Sequence, residues 1–147
     1  MTSTTALLCL VVAIADGDTL TARCGGPGAY EQVRVRLAAI DAPERRQPFG
    51  NVSRQHLAAL CFQVGATITP KSKDRYGRTV ADVACRGQDA ATEQVRAGLA
   101  WVYPKYARGY QRLYDVQATA EDARRGLWAD PEPVPPWEWR KASARKP

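Results

Sequence analysis

Acidic and basic side chains recur at the predicted turns of this 147-residue chain. They occupy four short stretches, which are Asp16-Gly17-Asp18-Thr19, Arg36, Asp41-Ala42-Pro43-Glu44 and Asp74-Arg75-Tyr76-Gly77-Arg78. Carboxylates can hold a hard metal ion or accept a proton from water, and guanidinium groups can neutralise phosphate oxygens. If the fold brings these stretches together, the set suits metal-assisted hydrolysis of a phosphodiester.

Asp18 and Asp41 are the candidate metal ligands, because each lies at the end of a separate predicted strand. Two anionic oxygens at such positions can converge on one cation, and Ca²⁺ accepts oxygen ligands in loose geometry. Asp16 is a candidate outer-shell partner of the ion, and the Thr19 hydroxyl can hold Asp18 or a metal-bound water. The other interpretation of this stretch is a hairpin turn alone, which Asp-Gly favours.

Glu44 is the candidate general base, which would activate a water molecule for in-line attack on phosphorus. The sequence leaves open whether Glu44 takes the proton or mainly positions the water. In the other interpretation, Glu44 is a surface carboxylate that pairs with Arg45 or Arg46.

Arg36 and Arg78 are the candidate phosphate-binding residues. A guanidinium offers paired donors that match two phosphate oxygens, and it keeps its charge throughout a reaction. Arg36 could instead form an ion pair on the sheet face, which is the role expected for Arg34. Arg78 could instead pair with Asp74 inside its own turn.

Alternation of apolar residues and turn signals predict the elements that must position these side chains. They are strands at residues 7–15, 19–24, 32–39, 67–73 and 79–85, a helix from a cap at Asn51 or Ser53 to Gln63 with a stop at Gly65, a short helix capped by Asp89, and a helix over residues 110–125. In the third strand, alternation places Arg34 and Arg36 on the face opposite the core. Five strands with helices at their side are compatible with a small barrel or with an open α+β sheet.

Net charge and length narrow the possible partners. The formal net charge of +6 and the sequence pI near 9.4 favour a polyanion, with nucleic acid first, although such a charge can also serve solubility alone. The length fits one domain, and we expect a monomer. The apolar run Ala6–Ile14 is too short to span a bilayer and is predicted to be a buried strand, so no membrane partner is expected.

The chain has four cysteines and a single histidine, and their spacing does not match that of the usual zinc sites. If Asp16-Gly17 is a hairpin turn, Cys9 and Cys24 lie at equal distances from its centre and can form a disulfide. Cys61 and Cys85 would then be the second pair, and free buried cysteines are the alternative. We expect a secreted or periplasmic protein whose export signal is not within this sequence.

Three motifs stand in order along the chain: Asp-Gly-Asp-Thr at residues 16–19, Arg-Leu-x-x-Ile-Asp-Ala-Pro-Glu at residues 36–44, and Asp-Arg-Tyr-Gly-Arg at residues 74–78. From about Leu7 to Trp128 the chain resembles the staphylococcal nuclease (thermonuclease) family. The resemblance implies an α+β, mainly β fold, with a five-stranded OB-fold barrel and about three flanking helices. Residues 1–128 would form this domain. Residues 129–147 would be a Pro- and Trp-rich extension, extended from Ala129 and packed on the domain or trailing from it.

The same resemblance implies a calcium-dependent endonuclease that acts on DNA and RNA with low sequence specificity and leaves 3′-phosphate ends. Asp18 and Asp41 would be direct ligands, the backbone carbonyl of Ala42 a third, and Glu44 would reach the metal's water. Ala42 stands where the best-known member has threonine, which removes a hydroxyl but keeps the carbonyl. Arg36, Glu44 and Arg78 would be the catalytic set.

Four further residues match substrate-binding positions of the family. Arg75 and Tyr76 match residues that bind the substrate's other phosphate, and Trp101 and Tyr103 match two tyrosines that line the nucleotide pocket. Aromatic faces stack on any base, which would explain tolerance of sequence. A core role is the alternative for Trp101. The alternative function is a catalytically silent OB-fold module that binds nucleic acid or protein, although such relatives usually lose part of the charged set that this chain retains.

Overall fold

Eight strands and four α-helices follow one another along residues 5–145, the part of the chain that the computed structural model describes. In chain order they are β1 (Leu7–Asp16), β2 (Thr19–Cys24), β3 (Glu31–Leu37), β4 (Ile40–Asp41), α1 (Gly50–Cys61), β5 (Gly65–Lys73), β6 (Thr79–Cys85), β7 (Gln88–Asp89), α2 (Ala90–Arg96), β8 (Trp101–Val102), α3 (Arg112–Asp122) and α4 (Pro136–Ala144). Two 3₁₀ turns lie at Pro104–Tyr106 and Gly126–Ala129. The five long strands match the predicted ones. The two-residue strands β4, β7 and β8 were not predicted, because two residues carry no alternation.

The barrel closes because β3 has two partners. It pairs antiparallel with β2 and parallel with β6, where Arg36 lies opposite Val80. Strand β1 pairs antiparallel with both β2 and β5, and β5 pairs antiparallel with β6. These contacts form a closed, mixed ring of five strands, which confirms the OB-fold prediction and excludes the open sheet. Three helices flank the barrel as predicted, and α4 adds a fourth.

Alternation in β3 sorts its side chains between the core and the site. Val35 and Leu37 are buried inside the barrel, whereas Arg34 is exposed and Arg36 is half-buried on the other face. Helix α1 lies against β1 and buries Leu57 in the same core. Each such aliphatic side chain contributes roughly 1.5–3 kcal/mol when it is removed from water. The core therefore fixes the face on which Arg36 emerges.

Two disulfides tie the barrel. Cys9 and Cys24 lie opposite each other on β1 and β2 and are bonded, and Cys61 at the end of α1 is bonded to Cys85 at the end of β6. Both predicted pairs are confirmed, and none of the cysteines is free. The second bond fixes α1 to the barrel wall.

The boundaries of α1 differ from the prediction. The helix begins at Gly50 after Phe49, whose φ is 70°, and no side chain caps it. Neither Asn51 nor Ser53 is the cap, since both lie inside the helix. The helix ends at Cys61, and Gln63 with a φ of 59° reverses the chain, so Gly65 begins β5 instead of ending the helix.

The Pro-rich tail leaves the 3₁₀ turn at Ala129, bends over residues 130–132 and has no regular secondary structure before Pro136. A helix, α4, follows and begins with Pro136 at its first position, where the missing N–H and fixed φ of proline are favourable. The prediction of an extended tail is therefore wrong for residues 136–144. No helix within residues 5–145 has the length and apolar character needed to cross a membrane.

Candidate active site

Asp18 lies in the turn between β1 and β2, with both carboxylate oxygens held. The Thr19 hydroxyl donates to Oδ1 at 2.9 Å, and the backbone N–H of Ala42 donates to Oδ2 at 2.8 Å. Asp18 is only 6% exposed, and its carbonyl oxygen accepts the N–H of Leu37 at 2.8 Å. These contacts bring the start of β2, the end of β3 and residue 42 to one place.

Asp41 reaches the same place from β4, where it pairs with Trp101 of β8. It is 1% exposed. The Nη2 atom of Arg36 lies 3.4 Å from Asp41 Oδ1 and 3.6 Å from Asp18 Oδ2, so one guanidinium spans both carboxylates. Burial raises the pKa of Asp41, because desolvation outweighs the hydrogen bonds from Arg140. The two predicted metal ligands therefore converge.

Asp16 adds a third carboxylate to this region. Burial raises the pKa of Asp16, and the negative charges of Asp18 and Glu44 raise it further, whereas Arg45 and Arg78 lower it. Mutual repulsion of this kind means that the acids share one electrostatic environment. Arg45 bonds to the Ala15 carbonyl oxygen at 3.0 Å instead of pairing with Glu44.

Glu44 is placed by its backbone. Its N–H donates to Oε1 of Gln47 at 3.1 Å, and Gln47 in turn donates to the carbonyl oxygen of Val134 at 2.6 Å. Within residues 5–145, Glu44 forms no ion pair with Arg45 or Arg46. Its partner is Arg140, whose Nη1 lies 2.6 Å from Glu44 Oε1.

Arg140 was missed as a site residue, because it lies in the tail that was predicted to be extended. It belongs to α4, and its Nη1 and Nη2 atoms also lie 3.1 and 2.7 Å from the two carboxylate oxygens of Asp41. Burial lowers the pKa of Arg140, but the bonds to Asp41 and Glu44 raise it overall. The only signal in the sequence is the Trp-Glu-Trp-Arg stretch at residues 137–140, whose tryptophans indicate packing on the domain.

Arg78 enters the site from the turn between β5 and β6. Its Nε bonds to Asp74 Oδ2 at 2.7 Å, so the predicted alternative pairing exists. Its Nη1 nevertheless lies 3.5 Å from the Thr19 hydroxyl, which itself bonds to Asp18. Asp74 thus orients Arg78 toward the carboxylates and does not remove it from the site.

Arg75 and Tyr76 lie on the outer side of the same turn. Tyr76 is 62% exposed, and the guanidinium carbons of Arg75 and Arg78 lie 5.0 and 5.5 Å from the centre of its ring. These two cation–π contacts hold the ring beside Arg78. The turn therefore presents an exposed aromatic ring and the exposed side chain of Arg75 next to the site.

Trp101 and Tyr103 lie on the other side, beside Asp41, and both are covered by α4. Trp101 lies between Trp128 and Trp137, with ring centroids 4.4 and 5.7 Å away. Tyr103 stacks on Trp137 with centroids 5.1 Å apart and planes inclined by 13°. Trp101 thus has the core-like surroundings of its alternative interpretation, and the face of Tyr103 is occupied by Trp137.

Gln94 was also missed, because a glutamine inside a helix gives no signal. Its Nε2 donates to the carbonyl oxygen of Gly17 at 2.7 Å and to that of Ser53 at 3.0 Å, and its Oε1 pairs with His56 Nδ1. His56 is thus part of the packing between α1 and α2. Gly17 itself must lack a side chain, since a Cβ there would lie 1.8 Å from the Ser53 hydroxyl. Together these contacts fix the turn that carries Asp18.

The predicted catalytic residues and metal ligands form one connected network of hydrogen bonds and ion pairs. It runs through Arg78, Thr19, Asp18, Arg36, Asp41, Arg140 and Glu44. Within residues 5–145, no group of three or more His, Cys, Asp or Glu side chains has the spacing of a metal site. Two carboxylates supplemented by a backbone oxygen and water would suit a hard, oxygen-preferring cation, because no thiol is free to compete.

Comparisons with known proteins are consistent with this geometry. The family model described as "Staphylococcal nuclease homologue" matches residues 34–130. An "Uncharacterized endonuclease" of Haemophilus influenzae is 42% identical over 134 residues, which cover 90% of this chain and 72% of the relative. A "Micrococcal nuclease" of Shigella flexneri is 41% identical over 90% of this chain and 80% of its own length. A "Staphylococcal-like nuclease CAN1" of Arabidopsis thaliana is 35% identical over 76% of this chain and 34% of its own length.

Proposed function

Since the chain belongs to the family of staphylococcal nuclease homologues and is a hydrolase of nucleic-acid ester bonds, we propose that it is a calcium-dependent endonuclease. It cleaves both DNA and RNA with low sequence specificity and leaves 3′-phosphate ends. The observation that carries the proposal is the position of Arg36. Its guanidinium lies within 3.6 Å of both Asp18 and Asp41, so a phosphate-binding group and two candidate metal ligands share one pocket.

Asp18 and Asp41 would hold Ca²⁺ together with the backbone carbonyl of Ala42. The fit is supported by the all-oxygen donor set and by the 2.8 Å contact that brings residue 42 against Asp18. The bound ion would supply positive charge that polarises a phosphoryl oxygen. Thr19 keeps Asp18 oriented, and Asp16 adds negative charge outside the ligand set.

Glu44 accepts the proton of the attacking water, and the water oxygen forms the new bond to phosphorus. The bond between phosphorus and the 5′ oxygen breaks and the departing oxygen takes a proton from solvent water, which leaves a 3′-phosphate and a 5′-hydroxyl. Arg36 and Arg78 bind the non-bridging oxygens, on which negative charge increases during the attack. Each such donor typically contributes about 3 kcal/mol in the transition state.

Low sequence specificity is supported by the kind of groups around the site. Arg75 and Tyr76 offer a phosphate contact and an exposed ring, and neither reads base edges. Trp101 is packed between Trp128 and Trp137, and Tyr103 is stacked on Trp137, so these two rings add no base-specific contact. The net charge of +6 favours any polyanionic strand.

The two disulfides support a secreted or periplasmic location, because such bonds persist in oxidising compartments. The protein would act there as a monomer. Cell fractionation with a cytoplasmic marker enzyme tests the location, and recovery of the native protein with the cytoplasmic marker would contradict it.

The decisive experiment is nicking of plasmid DNA and of a structureless RNA, with Ca²⁺ and then with chelator. Wild type, Glu44→Gln and Arg78→Lys are compared with the exposed-site controls Glu132→Gln and Arg124→Lys. We expect strictly calcium-dependent cleavage that falls about 100-fold in each site variant and is unchanged in each control. Full activity of Glu44→Gln would exclude Glu44 as base, and cleavage in chelator would exclude the calcium requirement. Products should resist primer extension until a phosphatase removes the 3′-phosphate.

A further inference from the structure

Arg140 contacts two predicted site residues at once. Its Nη1 lies 3.1 Å from Asp41 Oδ1 and 2.6 Å from Glu44 Oε1, and its Nη2 lies 2.7 Å from Asp41 Oδ2. Both oxygens of Asp41 therefore accept a bond from one guanidinium. Arg140 lies outside residues 34–130, the part that the family model matches.

The same oxygens are those that a divalent cation would need. Asp41 is almost completely buried, so its carboxylate requires a positive partner in the metal-free protein. A cation bound to Asp41 would have to share this carboxylate with the Arg140 guanidinium, and two positive charges at one carboxylate repel each other. We propose that Arg140 competes with the metal ion for Asp41 and Glu44 and thereby weakens the binding of calcium. This inference rests on the calcium site of the proposed function.

Arg140 is free to leave without loss of the fold. Its side chain is 40% exposed, and Arg36 remains 3.4 Å from Asp41 as a second positive partner. The tail has other attachments, since Trp137 stacks on Tyr103 and the carbonyl oxygen of Val134 binds Gln47. Replacement of Arg140 therefore tests metal binding while the other attachments of α4 remain.

Competition by Arg140 predicts the direction in which calcium affinity changes when Arg140 is removed. If the metal binds only the fraction of molecules in which Asp41 is released, the apparent dissociation constant exceeds the intrinsic one by the inverse of that fraction. Removing Arg140 should therefore tighten calcium binding. A residue that only held Asp41 and Glu44 in place would have the opposite effect, because its loss would disorder the ligands.

The test is calorimetric titration of the full chain with CaCl₂ alone, without nucleic acid. Arg140→Met keeps the apolar length of the side chain and removes its charge, and Arg140→Lys keeps the charge but not the paired geometry. We expect about tenfold tighter binding for Arg140→Met and a smaller gain for Arg140→Lys. Arg145→Met, at the exposed end of α4, is the control and should bind as wild type does.

Unchanged or weaker calcium binding by Arg140→Met would overturn the proposal. Failure of wild type and every variant to bind calcium would overturn the proposed calcium requirement as well, so the two failures are distinguishable. Hydrogen exchange gives a second readout. Saturating calcium should speed exchange of the α4 amides in wild type, because Asp41 releases Arg140, and should not change it in Arg140→Met. If saturating calcium leaves the exchange rates of the α4 amides in wild type unchanged, the proposed competition is wrong.

Discussion

Gly50 lies directly against the backbone of Glu44. A Cβ on Gly50 would lie 1.9 Å from the carbonyl oxygen of Glu44 and 3.0 Å from that of Arg45. Both are backbone atoms, so rotation of a side chain cannot relieve the contact. Because residue 50 is glycine, the first turn of α1 can pack closely against the backbone of Glu44, the candidate base.

Replacement of Gly50 by alanine should lower both stability and activity. We expect a loss of about 3 kcal/mol in the free energy of unfolding, since the loop that carries Glu44 must move. Urea denaturation measures the stability, and kcat for DNA cleavage reports the displaced base. Gly26→Ala is the matched control, because a Cβ there meets nothing within 4 Å and should cost less than about 0.5 kcal/mol. Equal free energies of unfolding for the two variants would show that the loop carrying Glu44 moves at little cost in stability.

Gln94→Leu should release the turn that carries Asp18. The substitution keeps the side chain's volume but leaves the buried carbonyl oxygen of Gly17 without a donor, at a cost of about 2 kcal/mol. We also expect weaker calcium binding, because Asp18 is no longer fixed. Thermal unfolding and calcium titration measure the two effects. Gln88→Leu, at an exposed position of β7, should change neither.

Asp74→Asn should reduce catalysis by weakening the orientation of Arg78. We expect kcat to fall about tenfold, or roughly 1.4 kcal/mol, with the loss of the charged bond to Nε and with little change in KM. Asp122→Asn, at the end of α3, is the control and should retain wild-type kcat. A fall in both variants would trace the effect to net charge.

The hydrogen bonds of Asp74 should also make the free energy of unfolding decrease at acid pH. Burial acts to raise its pKa, but hydrogen bonds from Arg78 and from the N–H of Tyr76 lower it overall. A lowered pKa in the folded state means that Asp74 stabilises the fold above its ordinary value of 3.8 and that this contribution disappears as pH falls through the lower value. Wild type should therefore lose its advantage over Asp74→Asn in urea denaturation below about pH 4.

The hydroxyl of Tyr110 should make the free energy of unfolding decrease at alkaline pH. Burial, followed by the 2.7 Å hydrogen bond to Asp82, raises the pKa of the Tyr110 hydroxyl above its ordinary value of 10.0. Near pH 10.0 the tyrosine of the unfolded chain ionises while Tyr110 in the folded chain stays protonated. The contribution of Tyr110 to the free energy of unfolding is therefore complete below pH 10.0 and declines above it. Tyr110→Phe should cost about 1 kcal/mol at neutral pH, and the difference from wild type should shrink above about pH 10. Tyr114→Phe, at an exposed ring, is the control and should cost less than about 0.5 kcal/mol.

The convergence of Asp18, Asp41 and Arg36 could be predicted, because strand ends and period-two alternation are local properties of the sequence. The Asp89 cap of α2 was predicted for the same reason, and the Asp89 carboxylate does accept the N–H of Thr92. Calcium binding and the individual catalytic roles stay predictions.

The parts that escaped prediction depend on distant packing. Arg140 is 99 positions from Asp41, and no local pattern links the two. Helix α1 begins without a side-chain cap, so its start follows from the fit of Gly50 against Glu44 and not from the sequence before it. The ribbon that sets Asp41 beside Trp101 has two residues in each strand, too few to show a period.

The parallel pairing of β3 with β6 has a consequence for biosynthesis. Arg36 belongs to β3 and Arg78 directly precedes β6, so the pairing of these two strands is what brings the two arginines to the same end of the barrel. A nascent or unfolded chain holds every reactive group yet cannot assemble them. The chain therefore acquires the arrangement that hydrolysis needs only after folding, so an unfolded chain does not threaten the nucleic acid of the cell that makes it.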